Sequence, residues 1–429
     1  MTFETIIIEI ITWLVKTAPI WAPIILIVIA WRIWNWYINE LFYSGLNWSL
    51  LEIKIPQEIR RSPLAMEMIL TNAMYQTGGY SNWVHKYWAG NKPIWFSLEI
   101  ASIEGNVHFF VRTPQKFAHL LETQIYAQYP QAEVFTVDDY VIEIPDYKTD
   151  ADYEYDLSGG EWKLDKADPY PIKTYIDYGL DKALGTLDED QKIDPITPLI
   201  EWMGSIGQGE QIWLQILVRP SNWPKYEIEE EDKTTKKKTK KMGKWTDLVK
   251  KEIDAYKAKF KAPEGSSVPV RMSKMEESVL NALERSVTKL GFDVGMRHMY
   301  IAKKDNFNKN TSGEFVNLLR QYNSLEFNSF KSDGGTGAPD FVWEDMRGVI
   351  PDKKKKKILK NFKARWWWYP RFDYKSISHY LFYQKERDSM VLTSEEIATI
   401  YHLPSTTLQT PTFKRINSKK VEAPFNLPI

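Results

Sequence analysis

The side chains able to move protons or hold a metal near neutral pH are few and scattered. Histidine does most such work, because its charge changes between about pH 5 and 8. The histidines His85, His108, His119, His298, His379 and His402 stand singly along the chain. No HExxH pairs two of them with a glutamate, the helical spacing that zinc hydrolysis uses. No GxSxG elbow presents a serine nucleophile. The absence of cysteine removes thiol nucleophiles, thiolate zinc sites and disulfides together. Phosphate chemistry has no better footing, since GxxxxGK[ST] does not occur. Gly334, Gly335, Thr336 and Gly337 are glycine-rich, but neither Lys-Ser/Thr nor a helical pattern follows, so they read as a loop. The acid pairs at Asp138-Asp139 and Glu229 to Asp232 fit solvated turns. The sequence therefore predicts no catalytic residue, cofactor or metal, and each histidine is expected to be an ordinary surface or core residue.

Positive charge is the remaining chemical signal, and it is local. Lys plus Arg equals Asp plus Glu at 56 each, so net charge points to no polyanionic partner. Lys353, Lys354, Lys355, Lys356 and Lys357 form an unbroken run. The string NFKARWWWYPRF then mixes Lys363, Arg365 and Arg371 with aromatics. Such mixing suits an anionic membrane surface, where each basic residue adds about 1 kcal/mol. It also suits nucleic acid, where rings stack on bases beside paired phosphates. A solvated helix that docks its aromatic end into the body is the third reading, and all three stay open.

The elements that would carry these residues follow a definite order. Trp48 to Ile55 reads as a strand. Ser62-Pro63 opens a helix over Leu64 to Tyr75, with serine as cap and proline in the first turn. Ile94 to Ile103, a turn at Glu104-Gly105-Asn106, and Val107 to Arg112 make a hairpin. Gln115 to Tyr129 has helical apolar spacing, and Glu133 to Val137 is a short strand. This is the β-α-β-β-α-β order of a ferredoxin-like unit over 46–145. Residues 146–168 are acidic and turn-rich and read as a linker. A second α/β domain is expected over 169–332, with a strand at Lys173 to Tyr178, a helix at Asp194 to Met203 and a strand at Gln211 to Val218. It continues through a helix capped by Ser273 and Glu276 and a strand at Val294 to Ala302. Element order alone suggests that it repeats the first unit. A charged insertion over 225–269 interrupts it and reads as flexible, with an amphipathic helix at Trp245 to Phe260. Residues 333–429 are expected to be a basic, aromatic and mostly irregular or helical tail, in which Thr393 and Glu396 form a capping box that opens a short helix through Tyr401. The predicted class is α+β.

One segment stands apart. Residues 1–43 form an apolar N-terminal anchor whose firm span is Ile20 to Tyr37, near the roughly 17 to 20 residues that cross a bilayer. Ile24, Ile25, Leu26, Ile27, Val28 and Ile29 make its uncharged centre. Trp31, Trp34, Trp36 and Tyr37 form an aromatic belt suited to the headgroup layer, and Arg32 is placed to snorkel outward. A secretory leader would end in small residues, whereas this run ends in bulky rings. The earlier apolar run over 5–15 either lies in the interface or extends the helix. Arg32, Lys54, Arg60 and Arg61 follow the span and only Lys16 precedes it closely, so the positive-inside rule puts the body in the cytoplasm.

Several longer strings carry a resemblance: LLEIKIP from Leu50, SPLAME from Ser62, WFSLEIASIEG from Trp95 and IYAQYP from Ile125. YPIKTYIDYGL from Tyr170, KIDPITP from Lys192, YIAKKDNF from Tyr300, TSEEIATIYHLP from Thr393 and the closing PFNLPI belong to the same set. With these strings the chain resembles a membrane-anchored bacterial family recorded as a domain of unknown function. That family is similar to the N-terminal part of HerA-class ATPases of type IV secretion and conjugation. In such ATPases a segment like TSEEIATIYHLP precedes the motor domain, for which no phosphate loop exists here. The resemblance implies a non-enzymatic, single-pass membrane subunit of a secretion apparatus. Its expected partners are the lipid bilayer and a protein, either a separately encoded ATPase or an assembly component. The alternative is a membrane-tethered nucleic-acid binder, stacking bases on Trp95, Phe96, Phe109 and Phe110.

Overall fold

The computed structural model describes residues 3–55, 61–76, 82–148, 153–181, 194–231, 238–260, 271–337, 343, 345, 349–368 and 388–404. In chain order they give α1 (Phe3–Ser44), β1 (Trp48–Lys54), α2 (Leu64–Ile69), α3 (Trp83–Tyr87), β2 (Phe96–Ile103), β3 (Asn106–Pro114), α4 (Gln115–Gln128) and β4 (Glu133–Val137). Next come β5 (Tyr155–Leu164), α5 (Ile196–Gly204), β6 (Glu210–Pro220), β7 (Tyr226–Glu231), β8 (Lys238–Gly243), α6 (Trp245–Ala258), α7 (Lys274–Thr288) and β9 (Gly291–Lys303). The last are α8 (Lys309–Leu318), β10 (Phe330–Gly335), α9 (Val349–Ala364), β11 (Met390–Thr393) and α10 (Ser394–Ile400). The chain forms two compact units, one of residues 1–47, 78–94 and 368–387, and one of the remainder.

The larger unit is a mixed α+β body on a nine-stranded antiparallel sheet, ordered β10-β5-β9-β6-β2-β3-β1-β4 with β11 also paired to β9. From the β2–β6 seam outward, one half runs β2, β3, β1, β4 and the other runs β6, β9, β5, β10. Side chains alternate across this sheet as the two-residue period requires. Leu51, Ile53, Leu98, Ile100, Ile212 and Leu214 enter the main core, to which α2, α4, α5 and α10 contribute. Leu50, Ala101, Trp213 and Met299 face the opposite way and pack with Ile358, Leu359 and Phe362 of α9. The β2–β3 hairpin turns through Glu104 at φ 52° and Gly105 at φ 81°, which is how a two-residue loop matches strand twist.

Over 48–137 the expected strands and helices are present in the expected order, with the unexpected helix α3 between α2 and β2; beyond that several expectations fail. The linker over 146–168 contains β5, the strand between β9 and β10. The strand expected at Lys173 to Tyr178 is a set of turns, because Asp177 Oδ2 accepts from Thr174 N at 2.8 Å and folds the backbone back. The insertion is ordered where it is described. Its acidic strand β7 pairs antiparallel with the basic strand β8, setting Glu229 opposite Lys240 and Glu231 opposite Lys238. Opposite charges across such a ladder favour pairing. Helix α6 follows at the expected place. Finally, 390–404 carries the short helix expected behind Thr393 and Glu396, but it is part of the body and not an appended tail: β11 pairs with Gly291–Val294 of β9, and every residue of α10 is buried.

Candidate membrane anchor and buried polar centres

Helix α1 is continuous over 42 residues, about 63 Å at the α-helical rise. The apolar run over 5–15 therefore extends the helix, and Pro19 and Pro23 lie inside it. Val15–Ser44 is long and apolar enough to cross a membrane. Ile24, Ile25, Leu26, Ile27, Val28, Trp31 and Tyr37 are exposed, while Ile29, Arg32, Trp34 and Trp36 are half-buried. The aromatic positions have partners that the sequence reading did not anticipate, in α3. Trp34 Nε1 donates to Tyr87 O at 2.9 Å. Trp31 stacks on Trp83 with centroids 6.5 Å apart, and Trp34 meets Trp88 at 5.3 Å. Asn82 caps α3 by accepting from His85 N at 2.9 Å.

Gly90 closes this arrangement. It sits at φ 63°, and a Cβ there would lie 2.4 Å from Ile38 O of α1. Both the left-handed backbone and the lack of room exclude a side chain. Gly90→Ala is expected to release 82–94 from α1 and speed protease cleavage there by about tenfold, a local opening of about 1–2 kcal/mol. Limited proteolysis with mass mapping of the fragments checks it, and an unchanged cleavage rate would refute it.

The basic run lies on α9 and is not one surface. Lys353, Lys356 and Lys357 are exposed. Lys354 Nζ donates to Gly337 O at 3.2 Å, and Lys355 Nζ pairs with Asp156. Lys363 Nζ reaches Ile144 O and Asp146. Arg371 lies outside the described residues.

Arg365 overturns its surface expectation, because its side chain is fully buried. It stands at φ 50°, just past the end of α9. Its Nε donates to Glu99 Oε1 at 2.9 Å and its Nη2 to Glu99 Oε2 at 3.0 Å. Nη1 and Nη2 also reach both carboxylate oxygens of Asp139. Glu99, equally buried, further accepts from Ser97, Tyr140 and Gln215. Burial opposes the Glu99 charge, but the adjacent guanidinium outweighs it and holds the carboxyl below its usual range. Glu99, Asp139 and Lys363 O together engage every N–H of the guanidinium, which leaves none for a substrate.

A second polar centre forms around TSEEIATIYHLP. Glu396 closes a capping box by accepting from Thr393 N at 2.8 Å, and it also accepts from Ile172 N at 2.9 Å. Burial pushes its carboxyl up to about 7. Glu395 accepts from Thr174 Oγ1 at 2.6 Å and lies 3.2 Å from Arg285 Nε. Glu67 gathers Ser394, Tyr175 and Lys289. His402 Nε2 meets Asp194 Oδ1 at 2.8 Å. These contacts join residues more than 200 positions apart in the chain, so the motif acts here as a packed keystone.

His298 is equally internal. Its Nδ1 accepts from Trp162 Nε1 at 3.0 Å, so the ring proton sits on Nε2, 3.3 Å from Ser312 Oγ. Burial pushes its pKa down to about 3. The unfolded chain takes up a proton near pH 6.5 that the native ring refuses until about 3, so this residue removes stability as pH falls through that window, by about 1.4 kcal/mol per unit. Glu396 and Asp168, raised to about 7 and about 6 by burial, act with the opposite sign because the native state holds their protons longer. The urea midpoint of His298→Gln against pH is therefore expected to lose the acid-side fall contributed by His298. An unchanged slope would refute the assignment.

Among the described residues no group of three His, Asp or Glu side chains is placed to hold a metal. No protein-family model matches the chain, and no curated protein matches it.

Proposed function

We propose that α1 crosses a membrane once, with the body in the cytoplasm, and that the protein is a non-enzymatic subunit of a type IV secretion- or conjugation-like apparatus that docks a separately encoded HerA-class motor. The observation that carries the membrane part is the apolar surface of α1. Leu26 and Ile27 are 63% and 68% exposed, whereas most apolar side chains on the strands of the large sheet lie in closed cores. The excess of Arg32, Lys54, Arg60 and Arg61 over Lys16 supports the cytoplasmic side. The two halves of the sheet are read as two ferredoxin-like units. Their repeated order supports this: β4-β1-β3-β2 in one half and β10-β5-β9-β6 in the other, each joined by antiparallel pairs. The secretion reading rests on the resemblance of the strings quoted above.

The nucleic-acid alternative loses its stacking platform, since Trp95, Phe96, Phe109 and Phe110 are at most 4% exposed. For the main reading, the 50.3 kDa chain is expected at full length in carbonate-washed membranes, with a motor ATPase recovered on affinity purification from detergent. A shortened, soluble product would make α1 a cleaved leader. Recovery without any ATPase or secretion component would remove the docking role.

A further inference from the structure

We propose that residues 82–94 form a second membrane contact, seated in the lipid headgroup layer beside the C-terminal part of α1. The inference rests on α1 crossing the membrane, and it concerns a segment to which that reading assigns nothing. Three facts carry it.

First, α3 presents large apolar side chains outward. Trp83 is 61% exposed, Val84 54% and Trp88 66%, beside Trp31 at 45%. Ring contacts join Trp31, Trp83 and Tyr87 and, separately, Trp34 and Trp88; the hydrogen bond from Trp34 to Tyr87 O links the two groups into one patch on one compact unit. A contiguous aromatic patch of this kind marks an interaction surface.

Second, its level along α1 matches a membrane boundary. Residues 17–31 carry no charge and span about 22 Å, bracketed by Lys16 and Arg32. Lys and Arg have aliphatic stems long enough to snorkel, which lets an apolar length of this size approach the roughly 30 Å of a hydrocarbon core. Trp31 and Trp34 then lie at the depth where tryptophan is most favoured, and the Trp34 N–H is satisfied there by Tyr87 O. Contacts with Trp31 and Trp34 hold Trp83 and Trp88 at that same level.

Third, the segment is built to stay there. A helix of five residues has no stability of its own. The Asn82 cap, the Trp34 to Tyr87 hydrogen bond and the close approach of Gly90 to Ile38 fix it along α1. A protein that placed these rings in water would lose the burial that rings of this size normally supply. Lipid headgroups accept both the ring faces and the indole N–H groups, and the patch is continuous with the aromatic side of α1.

The chain contains no cysteine, so single-cysteine variants of the full-length protein give one label each. Ile27→Cys and Val84→Cys would carry an environment-sensitive dye in phosphatidylcholine–phosphatidylglycerol vesicles. Nitroxide lipids labelled at the headgroup or deep in the acyl chain, and aqueous iodide, serve as quenchers. The Ile27 dye is expected to respond to the deep nitroxide. The Val84 dye is expected to respond about twofold more to the headgroup nitroxide than to the deep one, and weakly to iodide. If Ile27 responds to the deep nitroxide but Val84 is reached by iodide and by neither lipid, the proposal fails while the anchor stands. A Val84 dye shielded from all three quenchers means that a protein covers the patch, and the proposal fails. An Ile27 dye quenched by iodide alone removes the anchor and the proposal together. Trp83→Cys repeats the measurement where Val84→Cys disturbs α3.

Discussion

Arg365→Met is expected to destabilise the sheet body by about 3–5 kcal/mol, the largest loss for any single substitution considered for it. Methionine fills much of the same volume but leaves Glu99 buried without its counter-ion. Breaking a buried pair by removing one partner costs far more than the intact pair contributes, because the remaining charge has no water to return to. Asp139, with its side chain 26% exposed, can resolvate and adds little to the loss. The sign of the pH dependence is specific. In the native protein the Glu99 carboxyl is held below its usual range, so the stability it contributes is present at neutral pH and fades on acidification through its folded pKa. In Arg365→Met the hydrogen bonds from Ser97 and Tyr140 remain, but burial, the largest influence on Glu99, is no longer offset by the guanidinium and raises its pKa above the unfolded value. That deficit is therefore small at acid pH, where the carboxyl is neutral in both states, and grows as pH rises. Denaturant titrations at about pH 5 and 8 check this. The double variant Arg365→Met with Glu99→Met is expected to recover most of the loss, and a double-mutant cycle returns the coupling. Equal losses at both pH values would show that packing, and not charge, dominates.

The second large effect falls on the anchor and spares the body. Leu26→Arg with Val28→Arg is expected to cost about 5–7 kcal/mol of bilayer insertion, from roughly 2.5–3.5 for each arginine near the centre of a span. Both positions are exposed, at 63% and 48%, so neither change opens a packed core. The readout is the fraction of protein in carbonate-washed membranes, expected to collapse while the denaturant midpoint of the body stays put. Retention in the pellet at the native level would mean that this helix does not cross.

The contrast between these two predictions shows what the sequence made legible. The long apolar helix was visible because its signal is local: consecutive apolar residues bounded by rings and charges. The elements over 48–137 were visible for the same reason, through alternation at Ile94 to Ile103, helical spacing at Gln115 to Tyr129 and a hairpin turn at Gly105. The capping boxes at Ser273 and Thr393 formed as their spacing implied. Strand β5 was missed because YDLSGGEWKL is polar and contains two glycines, which normally weaken a strand. Those glycines answer a spatial need: a Cβ on Gly159 would sit 2.5 Å from His298 O, and one on Gly160 3.2 Å from the His298 ring. Arg365 was misplaced for a related reason. Its neighbours look like a basic, aromatic surface string, and its burial is decided by Glu99, 266 residues earlier. Helix α3 escaped notice because five residues carry no usable period. In each case the missing information was the identity of a distant partner, which no window of the sequence contains.

The place of β11 and α10 within the core sets the timing of assembly on the ribosome. Leu392, Ile397, Tyr401 and Leu403 belong to the same buried cluster as strands near the start of the body. Helix α1 has emerged by about residue 44, whereas Leu403 is added some 360 residues later, roughly 20 to 70 s at ordinary rates of synthesis. Once made, Phe292 and Val294 wait for about 100 further residues before their β11 neighbours follow, and until the end the apolar floor beneath α10 lacks its cover. The nascent body thus spends most of its synthesis as an unsealed half-product. Agents that shield apolar surface during translation are expected to matter more for the yield of this protein than for one whose N-terminal half closes by itself.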